Sequence, residues 1–157
     1  MTKVFIDGSQ GTTGLKIFDR LKKRDDIELI TVPDELRKDA AARKQAICDA
    51  DIAFLCLPDA AAIEAANLAS DCDTVIIDTS TAHRTSNGWT YGFPEIFENG
   101  FEKISSSKRI ASPGCYASGF IALVKPLIDN NIVSPDCNFY CHAMSGYSGA
   151  GKKGIAL

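Results

Sequence analysis

The stretch "VFIDGSQGTTGLKIF", residues 4–18, sets Gly8, Gly11 and Gly14 at three-residue intervals between a short apolar β-type run and the start of a helical pattern. A strand that turns sharply on glycines into a helix aims that helix's free N–H groups at whatever lies beyond the strand end, and the helix dipole favours a negative charge there. The spacing is G-x-x-G-x-x-G rather than G-x-G-x-x-G, a variant of the dinucleotide-binding loop. A glycine-rich turn without a ligand has the same spacing, but strand before and helix after favour dinucleotide binding.

The same unit repeats as far as Ser80. "KVFID" reads as a strand, and "TTGLKIFDRLKKR" as a helix with Leu15, Phe18 and Leu21 on one face and a basic last turn. "IELITV" is the next strand, closed by Pro33. "DELRKDAAARKQAICDA" has helix-forming composition, "DIAFLCLP" reads as a buried strand, "DAAAIEAANLAS" as a helix and "TVIIDTS" as a fourth strand. Near-continuous apolar strands alternating with helices predict an α/β fold, a Rossmann-like doubly wound parallel sheet covered on both faces. From Thr81 to Ser107 the pattern fails, and "TSNGWTYGFPEIFENG" predicts a long connection packed near a site. "RIAS" then reads as a short strand, residues 116–129 as a helix weakened by Pro126 near its end, and "CNFYCHAMSG" as a further strand.

Composition narrows the function classes. With 157 residues, 45% hydrophobic, 24% charged and a net charge of −3, the chain is long enough to enclose a core and too mildly acidic to present a nucleic-acid or anionic-membrane surface. No apolar run has the length of a bilayer span, and the N-terminus lacks a signal-peptide pattern, so we expect a cytoplasmic protein. The cysteines Cys48, Cys56, Cys72, Cys115, Cys137 and Cys141 are scattered, which fits a reducing compartment rather than a disulfide framework. A zinc site built on Cys137, Cys141 and His142 lacks a second ligand pair, so no metal is expected.

Cys115 differs from the other five. "ASPGCY" puts it behind Pro113 and Gly114 at the end of a strand and the opening of a helix, where a thiol is favoured as thiolate. The others, in helices or apolar strands, read as buried small hydrophobes. "DTSTAHR" puts Asp78, Ser80 and Arg84 at the C-terminal end of the fourth strand, where open α/β sheets bind ligands. Arg84 suits a carboxylate or phosphate, or equally a surface ion pair. Past the second strand, Asp34 suits a ribose 2′-hydroxyl, whereas Arg37 and Lys38 suit a 2′-phosphate; spacing does not choose between them.

Together "GSQGTTG", "DTSTAHR", "YGFPE" (residues 91–95), "ASPGCY" and "SGYSGAGKK" make the chain resemble, over its whole length, the N-acetyl-gamma-glutamyl-phosphate reductases of arginine biosynthesis, in their shorter bacterial form. The related aspartate-semialdehyde dehydrogenases carry an asparagine–cysteine pair where this chain has Gly114 and Cys115. The resemblance implies NADP(H)-dependent reduction of a small-molecule acyl phosphate through a thioester on catalytic Cys115, with Arg84 and Ser80 binding substrate. Gly8, Ser9, Gln10, Gly11, Thr12, Thr13, Gly14, Arg37 and Lys38 would bind cofactor, joined by Ser148, Gly149 and Gly151 from the second glycine-rich loop. It further implies a homo-oligomeric parent enzyme with residues 1–114 as NADP-binding domain and 115–157 as the beginning of a catalytic and dimerisation domain. Its acid/base histidine would lie further on, so the 157 residues are expected to be an N-terminal portion, inactive alone. Alternatives are an aspartate-semialdehyde-dehydrogenase-like enzyme and a non-catalytic nucleotide-binding or redox-sensing module.

Overall fold

A computed structural model describes residues 1–146 and Gly149. Its elements are β1 (Thr2–Asp7), α1 (Thr12–Leu21), β2 (Ile27–Ile30), a 3-10 turn (Asp34–Leu36), α2 (Ala40–Cys48), β3 (Ile52–Leu55), α3 (Asp59–Leu68), β4 (Val75–Asp78), β5 (Thr90–Tyr91), a second 3-10 turn (Pro94–Ile96), α4 (Gly100–Ser105), β6 (Arg109–Ala111) and α5 (Cys115–Asp129). The six strands form one sheet in the order β2-β1-β3-β4-β6-β5, parallel throughout. This is the doubly wound sheet expected from the alternation of apolar runs and helices.

Register decides where function can gather. Asp7 pairs with Leu55, Leu55 with Asp78, Asp78 with Ala111, and Ala111 with Tyr91. These residues stand level at the carboxyl edge, so the Gly8 turn, the end of β3, the Thr79–Arg84 turn and the segment before Cys115 all emerge side by side. Below that edge, Phe5, Ala53, Leu55 and Ile76 bury one sheet face against Ile47 of α2 and Ala65 of α3. Alanines let these helices sit close to the strands, and burial of this apolar surface at roughly 25 cal/mol per Å² is the main force holding them there. Asp39 caps α2, its carboxylate accepting the Ala42 amide at 2.8 Å. No helix among the described residues is long and apolar enough to cross a membrane.

Several expectations are corrected. Residues 137–146 do not form a strand: alternation alone is not enough, because a strand needs a neighbour to take its backbone hydrogen bonds, and no described strand pairs with this segment. Cys137 and Cys141 are therefore exposed rather than buried on a strand face. Cys48, at the end of α2, and Cys72, before β4, are not separate buried thiols; they are joined as a disulfide, with their Cα atoms 5.1 Å apart. Leu15 is exposed, and the only fully buried residue of α1 is Gly14, pressed against the turn that precedes it. The long connection contains β5 and α4, both too short to show as a pattern in the sequence. The helix read over 116–129 begins one residue earlier, with Cys115 as its first residue. It has no buried residue, and Phe120 packs edge-on against Phe139 with ring centres 6.0 Å apart.

Candidate active site

The β1–α1 turn is built around Gly8. Its φ of +85° lies in the left-handed region, and a Cβ there would overlap the main-chain carbonyl of Cys56 at the end of β3. The turn is closed by the Gly11 amide, which donates to the Gly8 carbonyl at 2.9 Å. Gly11 caps α1 without a side-chain hydrogen bond, so no side chain competes for the helix's first amides. Thr12, Thr13 and Gly14 form the opening turn of α1.

Beside this turn lies a cleft of about 510 Å³ lined by Gly8, Ser9, Gln10, Val32, Leu57, Asp34, Arg37, Lys38 and Arg43 among others. Gly8 to Gln10 and the basic pair Arg37 and Lys38, separate in sequence, thus share one cavity. Asp34 shares it too and is tied to Arg37, whose Nε lies 3.3 Å from the Asp34 carboxylate and 3.3 Å from its carbonyl oxygen. Both are exposed, so the pair is easily rearranged around a ligand.

A buried pair in the same cleft escaped the sequence reading. Arg43 Nε and Nη2 both donate to Asp7 Oδ2, at 3.0 and 2.9 Å, and Nη1 donates to Glu64 Oε1 at 3.1 Å. The side chains of Arg43 and Asp7 are 8% and 7% exposed, so the pair is desolvated. Burial pushes the Asp7 carboxyl above its ordinary value, with the Arg43 hydrogen bonds and charge acting against that rise. Asp7 is the residue immediately before Gly8, and the pair anchors α2 and α3 to the root of the glycine turn.

The second half of the site follows β4. The fully buried Asp78 carboxylate accepts the Ser80 amide at 2.9 Å and the Ser80 hydroxyl at 2.7 Å. His83 Nδ1 is 2.6 Å from Asp78 Oδ2, and the His83 ring stacks on Trp89 with centres 3.9 Å apart. Ser80 and His83 therefore hold the turn in shape; the Ser80 hydroxyl also accepts the Ala82 amide, at 3.2 Å. Arg84, which leaves this turn, reaches across to the next loop, where its Nε donates to the Ser112 carbonyl at 3.1 Å and Nη2 lies 3.5 Å from the Thr79 carbonyl.

Cys115 is exposed at the first position of α5, behind a Gly114 cap that contributes no side chain. Cys56 contrasts with it: burial pushes that thiol up to about 11, out of reach of thiolate chemistry at neutral pH. Of the second glycine-rich loop, Ser148 and Gly151 lie outside the described residues, while the Gly149 amide donates to the Gly146 carbonyl at 2.9 Å. His142 is exposed on the segment read as a strand.

Comparison with known proteins agrees with this layout. Residues 33–104 match the family "Semialdehyde dehydrogenase, NAD binding domain" and residues 115–156 match "Semialdehyde dehydrogenase, dimerisation domain". The N-acetyl-gamma-glutamyl-phosphate reductase 2 of Nostoc sp. is 49% identical over 150 residues, which are 96% of this chain and 47% of that protein. The reductase 2 of Pseudomonas putida is 49% identical over 152 residues, 97% of this chain and 49% of that one. Among solved structures, aspartate semialdehyde dehydrogenase II of Vibrio cholerae, complexed with ASA, superposes over 99% of this chain and 49% of its own, with a TM-score of 0.63 at 18% identity. The Candida albicans aspartate semialdehyde dehydrogenase with NADP gives 0.57 at 15% identity over 82% of this chain and 47% of that one. At those identities the likeness is one of fold. The chain spans about half the length of the curated relatives it matches, and over that span it is similar, at 49% identity, to proteins named N-acetyl-gamma-glutamyl-phosphate reductase.

Proposed function

We propose that this chain carries the cofactor loop and the nucleophile of an NADPH-dependent, cytoplasmic reductase that converts N-acetylglutamyl 5-phosphate to N-acetylglutamate 5-semialdehyde in arginine biosynthesis. The observation that carries the reading is the exposed Cys115 at the start of α5, with the Arg84 guanidinium against the preceding Gly114, on the same sheet edge as the Gly8 turn. The Cys115 sulfur attacks the acyl carbon, the C–O bond to phosphate breaks, and phosphate leaves with the electron pair, held by Arg84; the product is an acyl thioester on the protein. The lining of the cleft fits the cofactor, since Gly8, Ser9 and Gln10 share one cavity with Arg37 and Lys38: Gly8 to Gly14 would hold the pyrophosphate, and Arg37 and Lys38 the 2′-phosphate. When bound, NADPH supplies the hydride that reduces the thioester, freeing the semialdehyde from a thiohemiacetal. Ser148, Gly149 and Gly151 would approach the nicotinamide end. In this reading residues 1–114 are the cofactor domain and 115–157 begin a catalytic domain that also forms a homo-oligomer.

The test does not need hydride transfer. Incubated with the acyl phosphate, the protein is expected to release phosphate in a burst and to carry an acyl adduct on the Cys115 peptide, detected by mass spectrometry. The exposed Cys137 and Cys141 are internal controls. Cys115→Ser should remove both signals. Equal labelling of all exposed thiols, or a burst that survives in Cys115→Ser, would mean that Cys115 is not the nucleophile.

Cofactor choice is tested separately. In titration calorimetry NADP is expected to bind about tenfold more tightly than NAD, a preference lost in an Arg37→Ala, Lys38→Ala double variant, because two charge-assisted contacts to the 2′-phosphate go with them. Equal affinities for NAD and NADP, or a preference that survives the double variant, would mean that these side chains are a solvated turn.

A further inference from the structure

We infer that Gly114 is a positioning residue: its missing side chain is what admits the Arg84 guanidinium to the start of α5, setting a fixed cation beside Cys115. The backbone does not ask for glycine here. With φ −87° and ψ 149°, Gly114 has a conformation open to any L residue. What excludes a side chain is Arg84. A Cβ at position 114 would overlap Nη1 of the guanidinium and would lie only 3.0 Å from its Cζ and 3.3 Å from Nη2.

The guanidinium is held there from its other sides. Nε donates to the Ser112 carbonyl at 3.1 Å and Nη2 faces the Thr79 carbonyl at 3.5 Å, so Arg84 bridges the loops that follow β6 and β4. Those loops are already joined, since the Ser112 amide donates to the Asp78 carbonyl at 2.7 Å. Nη1 has no hydrogen-bond partner among the described residues, and no carboxylate among them lies within ion-pair distance of Arg84. A half-buried cation with two carbonyl partners and no ion pair among the described residues, one residue from an exposed thiol, is a place for an anion that arrives with the substrate. The Asp59 carboxylate, held by the Thr81 amide and hydroxyl, feels the Arg84 charge without pairing with it. The inference rests on the reading of Arg84 as the phosphate-holding group and adds what decides its position: at residue 114 a side chain and the guanidinium exclude each other.

The experiment reads charge beside the sulfur and needs no turnover. The rate of Cys115 alkylation is measured with iodoacetate, an anion, and with iodoacetamide, its neutral counterpart; the ratio of the two rates reports the local cation. Relative to wild type, Gly114→Ala should lower the ratio at Cys115 about fivefold, Arg84→Met should lower it equally, and the double variant should go no further. The ratios at the exposed Cys137 and Cys141 should not move. The overlap at position 114 is with the end of a flexible side chain, so Gly114→Ala should keep the wild-type circular dichroism; Gly114→Ser supplies a second probe of the same exclusion. A ratio unchanged in both Gly114 variants, a ratio unchanged in Arg84→Met, or a further fall in the double variant would overturn the inference. Failure of the acyl-phosphate test with these ratios intact would leave the cation placed and remove only its proposed substrate.

Discussion

Gly8→Ala is expected to lower stability by about 2–5 kcal/mol and to remove measurable NADP binding. Two effects add. A residue with a side chain pays roughly 1–2 kcal/mol to hold the left-handed conformation that Gly8 adopts at φ +85°. The new Cβ also overlaps the Cys56 carbonyl, and a forced overlap in packed structure costs about 1–3 kcal/mol. Neither is relieved by turning a side chain, because the obstacle is backbone. The Cys56 amide donates to the Asp7 carbonyl at 2.8 Å, so moving the obstacle means prising the end of β3 from the end of β1. Because the proposed pyrophosphate contacts lie in this turn, the relaxation that rescues the fold should spoil the site. Gly119→Ala is the control. It lies inside α5 with nothing within 4 Å of where the added methyl group would stand, so alanine there should add up to about 1 kcal/mol through helix propensity and leave binding alone. Urea unfolding and calorimetric titration of both variants check this; a Gly8→Ala protein as stable as wild type, with its NADP affinity kept, would remove the turn from the site.

What the sequence made legible was whatever depends on neighbours along the chain. The runs "KVFID", "IELITV", "DIAFLCLP", "TVIIDTS" and "RIAS" all contain strands, because a buried parallel strand is apolar along its length, although most of these strands are shorter than their runs. The residues trimmed from the ends, such as Cys56, Leu57 and Thr79, are those that leave the sheet at the functional edge. Cys115 at a helix start was equally local, since proline, glycine and the following apolar run are adjacent to it. Apart from β5 and α4, too short to show a pattern, the main failures are relations across the chain. "CNFYCHAMSG" has strand-like alternation but no described neighbour to pair with, and Cys48 meets Cys72 only because α2 and the loop before β4 end together. Ser80 and Arg84 sit four residues apart in one motif, yet one hydroxyl is turned inward on Asp78 while the other side chain crosses to Ser112. Gly114 reads as a turn residue until Arg84, thirty positions earlier, is seen lying against it.

Arg43 is the clearest case of that kind, and its replacement should have the second large effect. In "AAARKQA" it looks like the solvated face of a helix, but its guanidinium is buried on Asp7. Arg43→Met is expected to destabilise the protein by about 3–5 kcal/mol at neutral pH, since it strands a buried carboxylate, and natural domains have only about 5–15 kcal/mol in total. The pH dependence identifies the cause. Burial already raises the Asp7 carboxyl, and the Arg43 hydrogen bonds and charge oppose the rise; without them burial acts unopposed and the value climbs further. A carboxyl raised in the folded state binds its proton more tightly there than in the unfolded chain, so its contribution is fully present below the unfolded value near 4 and is lost as pH rises through the folded one. The deficit of Arg43→Met should therefore be small in mild acid and grow towards pH 8. Asp7→Asn placed in the Arg43→Met background should flatten that dependence and recover part of the loss, because an amide has no charge to strand. Urea unfolding of the wild type and these two variants at pH 5 and pH 8 decides it. An Arg43→Met deficit equal at both pH values, or one that Asp7→Asn leaves unchanged, would mean that lost packing rather than a stranded charge is responsible, and that the ion pair does not anchor the root of the glycine turn.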